Sequence, residues 1–486
     1  MSEAYTQLAP DFKISRVITG LWQIADMERG DVNLNIDEIA ASMLPYVDAG
    51  LTTFDMADHY GSAEEIVGAF ARRHSQDAPV QALTKWVPDA AVHAKEAPRA
   101  AVERALNRLQ TDQIDVLQYH TWQYADPRYL DDLLRLAALR DQGLIRHLAL
   151  VNFDTPHVNM VLESGIDIVS NQVSFSLLDQ RAAHGMTSLC ESKGVKILAF
   201  GTLAGGFLTE KWLDKREPTE QDGLTWSHMK YKRYIDVAGG WDKFQDLLRA
   251  VKQMADRHGV SMANVATRFI LDQPAVAGVI IGARLGESDH IENNLALLNF
   301  RPKERDWDGI KAAMSNLEPI PGDCGDEYRK PPYLTAAGDL SHHLEKLPLP
   351  YPAKPGLGNR TLALSGTVWE DLAGFSRATR KGNRIYVSGT TATHGDRVIG
   401  GKDPAAQAHF IIDKIEGAIK SLGGRLEDVT RTRVFLQNVD DWEAVSRVHG
   451  ERFAAIQPAN TMVQAGLIGE EYLVEIEAEA DCDEAG

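Results

Sequence analysis

The sequence predicts an α/β protein: a (β/α)8 barrel of the TIM type followed by a small α+β domain. Three observations predict this. Between about residues 15 and 300, short apolar β-rich runs alternate with segments of helical period. Eight such units over that span match an eightfold barrel in count and length. None of the runs leads into the GxGxxG turn of a doubly wound dinucleotide fold, which is the runner-up architecture.

The strand candidates, in order, are "RVITGLWQI", "LTTFDM", "VQALTKW", "IDVLQYH", "IRHLALVNF", "IDIVSNQVSF", "VKILAFG" and "AGVIIGA". Helical segments lie between them. In "PRAAVERALNRLQ", Val102, Leu106 and Leu109 share one face, and Pro98 suits a helix start. "PRYLDDLLRLAALRDQG" is leucine-striped and closes on Gly143 at a C-cap position. In "GSAEEIVG", Glu64 and Glu65 fall near the positive end of a helix. These units give a barrel domain over residues 1–318. Eight of the 20 prolines then lie between Pro319 and Pro355, a density that disfavours helix and internal strand. Residues 319–358 therefore read as an extended connector. Its His342-His343 pair has no third ligand at helical or finger spacing, so no metal site is expected. Residues 359–486 form a second unit. "NRIYVSGTTAT" reads as a strand, "PAAQAHFIIDKIEGAIKSLGG" as an amphipathic helix, and "VTRTRVFLQNV", "DDWEAVSRVHGERF" and "YLVEIEAEA" as strand, helix and strand.

Composition narrows the function. A net charge of -18 over 486 residues argues against nucleic acid or an anionic membrane as partner, since both require basic surfaces. No apolar run is long enough to span a bilayer, and "MSEAYTQLAPDFK" lacks the features of a secretory leader. Cys190, Cys324 and Cys482 are far apart and without CxxC spacing, which fits a reducing cytoplasm.

Chemistry in a barrel sits where strands end, because the loops at that face converge. Four strand ends carry ionisable groups: Asp55 and Tyr60 after the second strand, Lys85 in "LTKW", and His120 in "LQYHTW". An ammonium beside a phenol favours the phenolate, which predicts a lowered Tyr60 pKa and a better proton donor. Asp55 would hold Lys85 charged, and His120 would place a carbonyl oxygen beside Tyr60. Carbonyl reduction needs that set, with hydride delivered to carbon and a proton to oxygen.

"GLTTFDMADHYG", "TKW" and "DVLQYHTW" resemble the Asp–Tyr–Lys–His motifs of the aldo-keto reductases, over about residues 12–300. The resemblance implies Tyr60 as general acid, Lys85 as its tuning partner, Asp55 paired with Lys85, and His120 as the group orienting substrate. It further implies a nicotinamide cofactor, held by Asn152 in "LVNF" and Gln172 in "SNQVSF", with Val151 where the family usually has Ser. Phe200 takes the ring-stacking position, where Tyr is more usual. The turns "GTLAGG" and "GARLGES" would face phosphates, which places Gly201, Leu203, Gly205 and Gly282 at the cofactor. Each glycine taken alone is equally read as a tight turn. Arg284 falls where the family contacts the 2′-phosphate, with His290 as a second basic position and Asn293-Asn294 at the adenine. NADP is the expected cofactor, with NAD the alternative, because His290 is neutral for much of its time at pH 7. Trp22, Trp122 and Trp226 are pocket candidates; Trp226, Tyr231, Tyr234 and Trp241 either close over substrate or pack their long loop onto the barrel.

"GFSRATRKGNRIYVSGTTA", "RTRVFLQNVDDW" and "PANTMVQAGLIGEEYLVEIEAEA" resemble the RidA/YjgF family of small trimeric domains, over about residues 365–482. That family uses an Arg directly after Pro-Ala to grip a carboxylate; Asn460 stands there. Phe375 replaces a frequent Tyr, and Glu475 keeps the family's acidic position. The domain is thus read as a trimerisation module or as an altered ligand or imine site. The whole chain is read as an NADP-dependent oxidoreductase acting on a small aldehyde, ketone or sugar, assembled as a homotrimer. A nicotinamide-binding redox sensor with slow turnover is the rival reading.

Overall fold

A computed structural model describes residues 4–24, 35–74, 79–91, 94–287, 290–335 and 347–482. The His342-His343 pair lies outside the described residues. Two antiparallel strands, β1 (Tyr5–Ala9) and β2 (Phe12–Ser15), precede the barrel. The barrel strands are β3 (Val17–Gly20), β4 (Thr53–Asp55), β5 (Gln81–Trp86), β6 (Ile114–Tyr119), β7 (Ile145–Val151), β8 (Ser170–Ser174), β9 (Lys196–Phe200) and β10 (Val276–Gly282). They close in the order β10-β3-β4-β5-β6-β7-β8-β9, every neighbouring pair parallel. Leu8, Phe12 and Ile14 of the hairpin pack against Ile18, Leu83, Val116, Ala149, Leu198 and Ala277, inward side chains of β3, β5, β6, β7, β9 and β10. The hairpin thereby plugs one end, and the C-terminal ends of the strands form the other.

The helices between and after these strands are α1 (Ile36–Ala41), α2 (Leu44–Asp48), α3 (Ala63–His74), α4 (Ala97–Leu109), α5 (Arg128–Asp141), α6 (Thr155–Glu163), α7 (Met186–Lys193), α8 (Trp226–Val237), α9 (Trp241–His258), α10 (Met262–Leu271), α11 (Ile291–Asn299) and α12 (Asp308–Met314). Pro98 sits in the first turn of α4, and α5 ends one residue before Gln142 and Gly143, as their sequences predict. Of the long-loop aromatics, Tyr231, Tyr234 and Trp241 are buried. Trp241 packs on Phe207, Trp212 and Phe244, so that part of the loop is fastened to the barrel.

The stretch read as an extended connector is folded at both ends. Residues 320–335 return to the barrel with Ile320, Cys324, Leu334 and Thr335 buried, and contain the short helix α13 (Asp326–Arg329). The reason is chemical: apolar and charged side chains alternate with the prolines there, and the barrel mouth supplies partners for both. At the other end, β11 (Ala353–Gly356) and β12 (Arg360–Ala363) already belong to the second sheet.

That sheet runs β11-β12-β13-β14-β19-β17-β18, adding β13 (Ala378–Lys381), β14 (Arg384–Thr391), β17 (Val429–Leu436), β18 (Ala459–Gln464) and β19 (Val474–Asp481). Two further short strands, β15 (Thr393–His394) and β16 (Arg397–Val398), form a separate hairpin. All pairs in the large sheet are antiparallel except β17 with β18. Helix α14 (Val368–Ala373) precedes β13, while α15 (Pro404–Ser421) and α16 (Trp442–Phe453) pack against each other. One sequence expectation needs correction. Helix α15 is not amphipathic with a solvent face: Gln407, His409, Asp413 and Lys414 are buried along with its apolar residues. It lies between the sheet (β14, β19) and barrel helix α6, so both sides are covered.

Candidate active site

The four ionisable strand-end residues meet at the C-terminal face of the barrel. Asp55 is the last residue of β4, Lys85 lies near the end of β5, and His120 follows β6 directly. The Lys85 Nζ donates to Asp55 Oδ2 at 2.6 Å and to the Met56 carbonyl at 2.9 Å. Both side chains of that pair are buried, which makes the separation of either from the other expensive. Tyr60 stands next to them, with the Lys85 ammonium 5.1 Å from its ring centre. Trp22 meets the Tyr60 ring edge-on at 5.0 Å, and Trp122 meets His120 at 4.8 Å. Both tryptophans therefore lie against side chains of the tetrad. Trp226 instead opens α8, capped by Thr225, and makes no ring contact with the tetrad among the described residues.

The electrostatics correct one expectation. Tyr60 is not made more acidic: its pKa is raised well above the usual 10.0, first by burial and then by the Asp55 carboxylate. At the phenol the Asp55 carboxylate, not the Lys85 ammonium, is the charge that counts after burial. Lys85 itself is lowered, by burial, against the opposing pull of Asp55. Tyr60 is thus held as O–H, the form a general acid requires.

His120 is neutral. Burial, followed by the Arg329 guanidinium, pushes its pKa well below 6.5. Its Nδ1 faces the Val151 carbonyl at 3.4 Å, so the tautomer that satisfies this contact carries the proton on Nδ1. Nε2 is buried without a partner among the described residues, and in this tautomer its lone pair is able to accept from a hydroxyl such as that of an alcohol. The contact to Val151 is long, and the other tautomer, which would donate Nε2–H to a carbonyl oxygen, gives up only a weak bond.

Asn152 follows β7 at φ 59, with its side-chain Oδ1 buried and unpartnered among the described residues. Gln172 reaches from β8 and donates its amide to Asp55 Oδ1 and to Gln118 Oε1, each at 2.7 Å. An orphaned amide oxygen beside a second, fixed amide suits a carboxamide ligand, so these residues fit a nicotinamide. Phe200 ends β9 and is partly exposed. The following turn holds Gly201, Leu203 and Gly205. A Cβ on Gly201 would lie 2.2 Å from the Tyr231 hydroxyl, and one on Gly205 2.8 Å from its ring. Close packing by α8 thus accounts for both glycines. Gly282 ends β10, and Arg284 and His290 are exposed beyond it. The Asn293 side chain accepts from Ser261 at 2.8 Å, and Asn294 is buried.

Several groups at the mouth carry no local sequence signal. Gln118 donates to Asp55 Oδ1 at 3.1 Å. Arg329, from α13, donates to the Thr121 carbonyl at 2.7 Å and the Asn152 carbonyl at 2.6 Å, tying the His120 loop to the Asn152 loop. Tyr328 packs edge-on against His120 at 5.7 Å and receives the Lys230 ammonium at 3.0 Å.

In the C-terminal domain, Glu475 closes on Gly389, and burial raises its pKa while Arg377 opposes the rise. The Arg377 guanidinium lies 5.9 Å from the Phe375 ring and donates to the Gly389 carbonyl at 2.6 Å. Phe375, Arg377 and Glu475 are therefore neighbours. Asn460 is not among them: its amide donates to Thr432 Oγ1 at 2.9 Å, beside His449. No group of metal-ligating side chains occurs among the described residues, and no described helix is long and apolar enough to cross a membrane.

Comparison with known proteins gives this geometry its family. The Aldo/keto reductase family model matches residues 16–315, and the Endoribonuclease L-PSP model matches residues 368–482. The barrel is 30% identical over 282 residues to the uncharacterized oxidoreductase YqkF of Bacillus subtilis, covering 56% of this chain and 85% of that protein. The C-terminal domain is 41% identical over 117 residues to the uncharacterized protein SCO2049 of Streptomyces coelicolor, covering 24% of this chain and 87% of that one. The solved glycerol dehydrogenase AKR11B4 of Gluconobacter oxydans shares the fold, with a TM-score of 0.52 at 21% identity over 66% of this chain and 98% of that one. The C-terminal unit is a RidA/YjgF-like domain. More than half of the sequence lies within the barrel match, and the chain belongs to the Aldo/keto reductase family.

Proposed function

We propose that the protein is an NADP(H)-dependent oxidoreductase that reduces a small aldehyde, ketone or sugar, or oxidises the corresponding alcohol, with Tyr60 as general acid and base. One observation carries the reading: a protonated, partly buried Tyr60 stands beside the Asp55–Lys85 pair and the neutral His120, next to the unpartnered amide oxygen of Asn152. A bound nicotinamide supplies the hydride in such a site. The chain's residues do the rest. Asn152 and Gln172 hold the carboxamide, and Phe200 offers a ring face. Tyr60 gives its proton to the carbonyl oxygen as charge develops there, and recovers it when the alcohol is the substrate. Lys85, fixed by Asp55, keeps a positive charge near the phenol for that moment. Trp22 and Trp122 exclude water from the same space. Arg284, exposed beyond the last barrel strand at the position where the family contacts a 2′-phosphate, supports NADP over NAD.

In Tyr60→Phe, reduction across an aldehyde panel is expected to fall by about 10²–10⁴-fold while NADPH still binds. Comparable NADPH oxidation by the variant and the parent would sink the reading. For the C-terminal domain the favoured role is a trimerisation module that keeps a ligand cleft at Phe375 and Glu475. Without an arginine at 460, a carboxylate grip of the family kind is absent from that position. A net charge of -18 speaks against RNA as its ligand.

A further inference from the structure

Lys230 lies on α8, one helical turn after Trp226 and on the same face. Its ammonium is partly buried and sits over three rings: Phe200 at 4.8 Å, Tyr328 at 5.0 Å and Tyr231 at 5.4 Å. Its hydrogen-bond partner is the Tyr328 hydroxyl at 3.0 Å. An ammonium has three N–H donors, so two remain. The other cations around the mouth are already engaged. Lys85 is paired with Asp55, Arg181 with Asp179 and Glu327, and Arg329 with the backbone carbonyls of Thr121, Asn152 and Gly325. Among the described residues no carboxylate lies within ion-pair distance of Lys230, and the charge of Glu327 reaches it only from farther off.

Burial strips this ammonium of part of its hydration, and Tyr328, Tyr231 and the more distant Glu327 carboxylate offset that loss, while two of its N–H donors stay open to a ligand. A cation drawn out of water gains part of its hydration energy back from aromatic faces, and a desolvated anion would return more. One ring, that of Tyr328, separates the ammonium from His120, and Phe200 on its other side flanks the nicotinamide position. A chain carrying a net charge of -18 repels anions in general, so an anionic substrate needs a local cation at the mouth.

We infer that Lys230, presented by Tyr328, binds an anionic oxygen of the carbonyl substrate, so that the preferred substrates are aldehydes or ketones bearing a carboxylate. The inference rests on the reading of the barrel as a carbonyl reductase and names its substrate class. A phosphate oxygen of the cofactor shares the same chemistry, and the experiment separates the two.

Succinic semialdehyde and butyraldehyde, of similar length and differing in the carboxylate, are compared on the full chain with NADPH. The parent is expected to favour the semialdehyde in kcat/KM by about 10-fold or more, the range of a charge-assisted hydrogen bond. In Lys230→Met that preference disappears through a higher KM for the semialdehyde, while Lys230→Arg retains much of it. The NADPH dissociation constant, read by fluorescence, stays within about twofold in both variants, as expected for a group that contacts no phosphate. A parent without preference, or a Lys230→Met variant that binds NADPH poorly and keeps the preference, overturns the inference. If the parent reduces neither aldehyde, the reductase reading fails for these substrates, and binding still decides Lys230. Calorimetric titration of the NADPH-loaded chain with succinic semialdehyde should show binding that Lys230→Met abolishes; equal binding by both overturns the inference.

Discussion

At the scale of single residues, the site turns on which proton is present at neutral pH. Tyr60 has its pKa raised by burial and by Asp55, so the phenol is intact throughout the physiological range. A general acid works below its pKa; the reduction rate should therefore be flat with pH until it falls above 10.0, the usual tyrosine value. The Asp55 carboxylate contributes to that rise. In Asp55→Asn the phenol loses a repelling charge and its pKa drops, so the falling limb of kcat/KM for reduction should move to lower pH. The rate below the limb should also drop, by about 10-fold or more, because Lys85 and the Gln172 amide lose the carboxylate that orients them. A pH profile of kcat/KM for the variant and the parent checks both parts. An unmoved limb would show that Asp55 acts on Lys85 alone.

At the scale of elements, the contact between α6 of the barrel and α15 of the C-terminal domain is built around one imidazole. His157 directs Nδ1 to Asp154 at 2.5 Å and Nε2 to Asp413 at 2.8 Å, with its ring stacked on Tyr124. Two carboxylates require two N–H donors, so the ring is an imidazolium. Burial pushes its pKa down, but Asp154 and Asp413 outweigh this and raise it from 6.5 to about 9. Arg452 of α16 balances Asp413 at 2.6 Å. Around this centre Gly400 donates to Ser164, Asn159 to Asp403, and a Cβ on Gly417 would lie 2.2 Å from the Ala125 carbonyl. A raised folded-state pKa gives stability that is fully present below pH 6.5 and is lost as pH climbs through 9. The shift corresponds to a contribution on the order of 3 kcal/mol. Denaturant unfolding between pH 6 and pH 10 should show that loss, and His157→Phe should remove most of the pH dependence; an unchanged slope in the variant would refute the assignment. Little of this interface was legible in the sequence. The tetrad was, because each member terminates or follows a strand whose apolar pattern marks its end. Arg329, Tyr328 and Lys230 were not, because they reach the mouth from segments 100 to 200 residues away, where no periodicity fixes direction. Helix α15 did carry a signal. Its apolar residues run round the whole circumference, with Asp413 and Lys414 set among them, as in a helix covered on both sides.

At the scale of the whole molecule, the two domains meet through α6 of the barrel and α15 of the C-terminal domain. Large apolar side chains exposed in the chain concentrate in the C-terminal domain: Val368 at 74%, Trp369 at 52%, Leu372 at 76% and Ile468 at 84%. Three of these lie on α14, a helix of six residues that buries only Glu370. A soluble chain rarely leaves such a patch uncovered. The contact with the barrel runs through α15, and α14 keeps these side chains exposed. A second and third copy, meeting through the C-terminal domains, would bury α14 and the exposed edge strand β18 together. Light scattering on the full chain is expected to give the mass of three copies, against 53.6 kDa for one. The double substitution Trp369→Glu with Leu372→Glu places like charges in the contact and should yield single chains. Because these residues belong to the C-terminal domain and Tyr60 to the barrel, the single chains should keep reducing aldehydes if the barrel is complete by itself. A parent that already runs as a monomer at micromolar concentration would rule out the trimer, and a dissociated variant that loses turnover with intact NADPH binding would show that the assembly, not only the chain, completes the site.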